Sequence, residues 1–502
     1  MRSILGTTQP WEPTPEQYGE WTTRNIDLDA WWQWLSGEAL DVLNRNGKLS
    51  KDNSYPLMYP LKINPIKPAA MLHNYALWGE VPDTSDPMVK TVLEKKEGLN
   101  TDLVDKTLAQ VFYENHMRDL DMDMGLQSQF LGGVVYKVTW DPDDGDLPLG
   151  VRIEYIDVRE FWCEWSGSNH WSLTKAWIKR DISAEEAKTY GVDIGKGTGI
   201  YLESWTRSER HITINGKDAL HPKTQRPLSE PHDLGFVPFI YIPHLRAGNF
   251  WGISLVPDMI GLAEELNSRK ADQGDALRKG VHRKPWGRNI PNGHPTIETL
   301  SDGQEWINAG KSIGQQPEPQ MDTLDAPDIP ESSQKFTENL LDLLRIAGFT
   351  PSIAYGEEEG SQRSGQTLYS RMWPTLAHVR HERGWWTEGK NQLAEYVLRI
   401  LAARKMGDIV QAHLGQRKRQ IWSPMVPVDR AALVDELVQR MSSDMTWPEH
   451  ALGLLGDVVD IPAAVEAIKA WKKFEAEMEA AAQPAFPNAG VQPKPKGQGE
   501  QT

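Results

Sequence analysis

Residues 235–284 read GFVPFIYIPHLRAGNFWGISLVPDMIGLAEELNSRKADQGDALRKGVHRK, and their character changes three times. The apolar run 236–242 predicts a buried strand closed by Pro243, and the turn residues 246–252 then lead into a long helical pattern. Within that pattern Met259, Leu262, Leu266 and Leu277 mark one face, while Arg269, Lys270, Asp272, Gln273, Asp275, Arg278 and Lys279 fill the second half. Running unbroken from residue 253 to 281, such a helix would be roughly 40 Å long. It starts in a core and ends outside one, so its polar half must meet solvent, another subunit or a ligand. The pattern predicts a shaft projecting from a body.

Composition bounds the rest. A chain of 502 residues has room for several domains, and 39% hydrophobic with 25% charged is an ordinary globular balance. No run of about eighteen apolar residues occurs, so no membrane span is expected. The N-terminal residues lack an apolar signal region, which argues against secretion and for a product that stays in the cytoplasm where it is made. The single cysteine, Cys163, excludes an intrachain disulfide and a cysteine-built metal site, and reads as a small apolar filler. A net charge of -16 argues against a protein that coats nucleic acid, although DNA could still slide past it. Locally the balance reverses: Arg269, Lys270, Arg278, Lys279, Arg283, Lys284 and Arg288 face only Asp272 and Asp275 along the helix and its end. A solvated helix face is the plain alternative for that run. The 21 Trp outnumber 13 Tyr and 10 Phe, and such rings fill cores or anchor subunit interfaces.

Along the chain, residues 28–43 predict an aromatic amphipathic helix capped at Asp27 or Asp29, and residues 51–69 are Pro-rich and extended. Helical spacing returns at 71–78 and 102–131. Strands follow at 134–140 and 149–156 around a turn at 141–146, then at 175–180, 199–207 and 210–214. The turn superficially matches a calcium loop, but Gly145 and Asp146 sit where Asp/Asn and Gly belong and Arg152 replaces the closing Glu, so calcium is not expected. Beyond residue 281 an irregular Gly/Pro-dense stretch runs to 327, with short strands near 305–307 and 311–313. A long excursion of this kind between two helices is normally functional. The chain returns as a helix with Asp328 at its N-cap, Pro330 in its first turn and Glu331 three residues after the cap. Phe336, Leu340, Leu343, Leu344 and Ala347 supply its apolar stripe. The order is helix out, small module, helix back.

With these residues in order, the chain resembles a tailed-bacteriophage portal protein. The resemblance is carried by VPFIYIPHLR at 237–246, FWGIS at 250–254, EELN at 264–267, IAGFTP at 346–351, Tyr355 with Gly356, the flexible stretch EEEGSQR at 357–363, and SGQTL at 364–368. In order and spacing it covers most of residues 20–470. It implies an α+β portal fold: a β-rich and helical wing (1–251), a first stem helix (252–281), a small α/β clip (282–328), a second stem helix (329–347), a tunnel loop with a long wing helix kinked at Pro374 (348–428) and a helical crown (429–482); the Pro/Gly/Gln-rich composition of 483–502 separately predicts a disordered tail. Gly356, Glu357, Glu358, Glu359, Gly360, Ser361, Gln362, Arg363 and Ser364 would form the tunnel loop, and the seven basic residues above would lie on the stem and clip. The resemblance further implies a ring of about twelve subunits around double-stranded DNA at one capsid vertex of the virion, assembled in the host cytoplasm. Its implied partners are the terminase large subunit, the major capsid and scaffolding proteins and a head-tail adaptor protein. No membrane partner, cofactor, metal or catalytic residue is implied.

Enzymatic readings find little support. No GxxxxGK[ST] loop exists, and GKGTG at 195–199 has the wrong spacing and reads as a turn. GISLV at 252–256 lacks the second Gly of a nucleophile elbow, and HVRHE at 378–382 matches no zinc-protease pattern, so satisfied surface histidines are expected there. The alternative to a portal is a cytoplasmic metal-dependent hydrolase using carboxylates with His378 and His381. A head-to-tail adaptor is disfavoured, because a shaft, clip and crown exceed what a connecting ring needs.

Overall fold

The computed structural model describes residues 11–40, 62–79, 87–94, 101–142, 145–167, 169–222, 225–281, 285–289, 296–299, 305–308, 318–323, 329–356, 370–404, 406–425, 430–443, 445–455 and 461–482. The chain forms two compact units, Met1–Val426 and Pro427–Thr502. Among the described residues no helix is long and apolar enough to cross a membrane.

The first unit opens with helices α1 (Pro15–Ser36), α2 (Ile66–Trp78), α3 (Asp102–Glu114) and α4 (Met117–Leu131), with strand β1 (Val89–Leu93) between α2 and α3. Helix α1 begins well before the aromatic run, because Thr14 and Gln17 form a reciprocal capping box with Pro15 at the first position. Helix α2 likewise claims residues 66–69, which the prolines suggested were extended. The pattern over 102–131 is two helices, broken where His116 adopts a left-handed φ of 50°.

Strands β2 (Gly133–Trp140), β3 (Val151–Ile156) and β10 (Phe239–Pro243) form an antiparallel sheet in the order β10-β2-β3. Arg152 donates from Nε and Nη2 to Asp141 Oδ2, so the turn that mimics a calcium loop is held by an ion pair. A second antiparallel sheet runs β4 (Phe161–Ser166), β5 (Asn169–Ser183), β6 (Thr198–Trp205), β7 (Glu209–Ile214) and β8 (Lys217–Asp218), with β9 (Glu230–Pro231) also on β7 and helix α5 (Ala184–Thr189) after β5. Cys163 is buried in its core, and burial pushes the thiol well above its usual pKa, as an inert filler requires.

Helix α6 (Pro257–Val281) starts four residues later than the periodicity suggests, with Pro257 at its first position. The preceding residues are held by the body instead: Leu255 N and Ser254 Oγ both donate to Gln129 O. A Cβ on Gly252 would collide with Gly132 O, so only glycine lets these backbones approach. Strands β11 (Pro285–Arg288), β12 (Thr296–Thr299), β13 (Glu305–Asn308) and β14 (Gln320–Thr323) build a small sheet, with β11 and β13 parallel. Helix α7 (Glu331–Ala347) returns with Pro330 at its N-cap and no side-chain cap, so the expected capping box is replaced by Pro330 O accepting from Ser333 N. Asp328 lies outside the described residues, as do the strand expected at 311–313 and the tail at 483–502.

Helix α8 (Trp373–Arg404) threads the main core; helix α9 (Gly407–Val410) and strand β15 (Lys418–Trp422), paired with β1, complete this unit. The helix expected over 365–404 is interrupted beside Pro374: residues 370 and 371 are helical, Met372 is a turn, and α8 begins at Trp373 with Pro374 in its first turn, where a proline costs no hydrogen bond. Along α8, Trp386, Leu393, Val397 and Leu401 are buried against Trp78, Leu108, Tyr136 and Ile242. The second unit holds helices α10 (Arg430–Ser442), α11 (Pro448–Leu455) and α12 (Ile461–Ala482). Helices beside separate, mainly antiparallel sheets make the fold α+β.

Candidate functional site

The pair α6 and α7 is seamed by Met259, Ala263 and Leu266 against Leu340 and Leu344. Gln273 Nε2 donates to Thr337 Oγ1 at 2.8 Å and Thr337 Oγ1 to Ser333 O at 2.9 Å, which fixes the register further along. At the body end, Asn267 exchanges hydrogen bonds with the backbone of Ile63 at 2.8 and 2.7 Å. Burial then fades: beyond Ala271 every described side chain of α6 is half-buried or exposed, and Leu277, expected on the core face, is 62% exposed. Two residues of the stripe expected on α7, Phe336 and Leu343, also stand outside, together with Ile346 at 71% exposure. They follow each other at seven and three residues, hence on one face.

The basic candidates do not form one described patch. Arg269 is held by Glu265 at 2.7 Å and Asp272 at 3.2 Å, and Lys270 beside it is half-buried. Arg288 lies apart on β11, exposed and paired in register with Gln320. The side chains of Arg278 and Lys279, and all of Arg283 and Lys284, fall outside the described residues. Of the loop candidates only Gly356 is described; with φ of 79° it ends the short helical turn Ser352–Tyr355. Glu357, Glu358, Glu359, Gly360, Ser361, Gln362, Arg363 and Ser364 lie outside.

The structure also corrects the reading of HVRHE. His381 is exposed, but His378 is buried, and the two do not act as a pair. One turn along α8 from His378 comes Glu382, fully buried, and His244 reaches both from the end of β10. His378 Nε2 and His244 Nε2 are 3.2 Å apart. Glu382 Oε1 is 3.2 Å from His244 Nδ1, yet not aligned with it, so that nitrogen lacks a hydrogen-bond partner. Gln129 Nε2 donates to both Glu382 oxygens, at 2.9 and 3.0 Å, and Ser128 Oγ stands 3.3 Å from Oε1. His73, from α2, stacks edge-on against His378 at 4.7 Å and donates from Nε2 to Gly348 O at 2.9 Å. Burial lowers the His73 pKa to about 4, opposed by the Glu382 charge. Burial, reinforced by His73, His244 and His381, lowers that of His378 to about 2. Both rings are therefore neutral at pH 7. The signals in the sequence were the i, i+4 spacing of His378 and Glu382 and a histidine directly after a wholly apolar strand.

A search of curated proteins finds no match to this chain. The sequence model of the family described as "Phage portal protein, SPP1 Gp6-like" matches residues 91–481, from within β1 to the penultimate residue of α12. That span contains the outbound helix, the small sheet, the return helix and the long buried helix in one continuous match, and the chain therefore belongs to the SPP1 Gp6-like family of phage portal proteins.

Proposed function

We propose that this portal protein forms a ring of about twelve copies around the DNA path at one capsid vertex, where it docks the terminase large subunit, passes genomic DNA in and out, and connects the head to the tail through an adaptor protein. In this reading residues 1–251 are the wing, 252–281 and 329–347 the stem, 282–328 the clip, 348–428 the tunnel loop with the long wing helix, and 429–482 the crown. The observation that carries it is family membership across 91–481. The helix pair supports it physically: Phe336, Leu343 and Ile346 on α7 leave an apolar face without a partner within the described protomer, as a neighbouring subunit in a closed ring requires. Arg269 is already neutralised by Glu265 and Asp272, which suits a conduit, since each lasting cation–phosphate contact would slow sliding. The protein acts mechanically, without turnover of its own, and the energy of packaging comes from a separate ATPase. Capsid and scaffolding proteins are its assembly partners in the host cytoplasm.

A hydrolase reading has the His244, His378 and Glu382 cluster in its favour, but His244 and Glu382 are 0% exposed, so a substrate has no approach to them. The reading is tested by deleting residues 357–364 and assaying the protein in a packaging reaction. Rings that assemble normally but fail to package DNA are expected; loss of assembly, or packaging at the undeleted level, would contradict the assigned role of that loop.

A further inference from the structure

The geometry points to a buried transition-metal site, of the Zn2+ class, formed by His244, His378 and Glu382. Two elements supply its ligands: the exit of β10 gives His244, and one face of α8 gives His378 and Glu382 at i, i+4. One ligand atom from each residue falls within 4.8 Å of the others, and all three side chains are buried. Two imidazoles and a carboxylate are a common donor set for zinc. Tetrahedral coordination at zinc–nitrogen distances of ~2.0–2.1 Å places two ligating nitrogens ~3.3 Å apart, and the two Nε2 atoms stand 3.2 Å apart. Glu382 Oε1 lies 3.2 Å from Nδ1 of His244 rather than beside its Nε2, so the carboxylate must move toward the two Nε2 atoms to complete the set.

A plain hydrogen-bonded cluster explains these residues less well. Buried polar atoms are nearly always paired, yet His244 Nδ1, which faces the Glu382 carboxylate at 3.2 Å, has no hydrogen-bond partner. Among the described residues the His244 ring is the only basic group within ion-pair distance of the Glu382 carboxylate. A buried carboxylate with so little counter-charge is costly, and a divalent cation supplies that charge. Gln129 and Ser128 hold the carboxylate from behind, as outer-shell partners of metal ligands do. Sealed from solvent, the site is structural: it would tie the exit of β10 to α8 beneath Gly348, where α7 ends.

The site is independent of the ring reading, and its test uses the purified full-length protein. After dialysis against a chelator and then against Zn2+ or Co2+, the wild type should retain about one metal ion per chain by elemental analysis, and its melting temperature should rise on reloading. His244→Asn and His378→Asn should each retain less than a tenth of that, while His381→Asn should match the wild type. Gln129→Ala should bind Zn2+ about 10–100-fold more weakly. Wild-type protein that retains neither ion and melts at the same temperature with and without metal would overturn the site, even if the variants fail to fold. So would a His381→Asn variant that loses metal as His378→Asn does.

Discussion

The core around α8 and the pair α6–α7 use apolar residues in opposite ways. Along α8, Trp386 is enclosed edge-on by Trp78 at 4.9 Å and Tyr136 at 6.4 Å, and Val397, Leu398 and Leu401 have no exposed surface. The chain satisfies that region by itself. In the helix pair only the facing seam is buried, while Phe336, Leu343 and Ile346 stand on the outside of α7. Apolar periodicity thus has two meanings in one molecule: it marks the core in one helix and a face exposed among the described residues in another.

Substitutions can break this contrast in order of their effect on the folded protomer. Trp386→Ala should be the most damaging, lowering the unfolding free energy by about 3–5 kcal/mol in denaturant titration, because rigid neighbours cannot fill so large a void. A loss below about 1 kcal/mol would mean that the core is looser than its burial indicates.

Glu203→Gln probes a charge in the adjoining sheet. Burial disfavours the Glu203 carboxylate, but Lys137 at 2.8 Å and hydrogen bonds from Lys137 and Trp205 outweigh it and hold its pKa below the ordinary 4.5. A carboxylate depressed in this way stabilises the fold above 4.5, and that contribution disappears as pH falls through the folded-state value. The substitution should therefore cost about 3 kcal/mol at neutral pH. Wild type and variant should converge in acid; parallel stability curves below pH 4.5 would show that the pair is not the cause.

Smaller effects are expected in the helix pair. Gln273→Ala removes the bond to Thr337 and should cost about 1 kcal/mol. Leu343→Lys combined with Ile346→Lys should leave protomer stability within about 0.5 kcal/mol of wild type, while abolishing higher assemblies in sedimentation. A double variant that assembles normally would remove the outer face of α7 from the interface and sharpen the contrast toward another surface.

Much of this architecture was legible because its signals are local. The strands at 134–140 and 149–156, the turn between them and the switch from apolar strand to long helix after residue 252 all appear as read, within a few residues. Errors arose where a short-range cue outweighed its surroundings. Pro330 was read as a first-turn residue, yet it is the N-cap, since proline's lost donor is harmless at either place. Leu277, Phe336 and Leu343 fit a core pattern, but periodicity reports a shared face and not what covers it. The cluster at His244 was illegible for a different reason. Its members come from positions 73, 129, 244, 378 and 382, and only the fold brings them together.

The central claim is that the apolar face left open on α7 is closed by further copies of the same chain. The mass of the purified wild-type particle by native mass spectrometry tests this most directly. A single closed species of about twelve chains is predicted; a monomer that persists across protein and salt concentrations would contradict it.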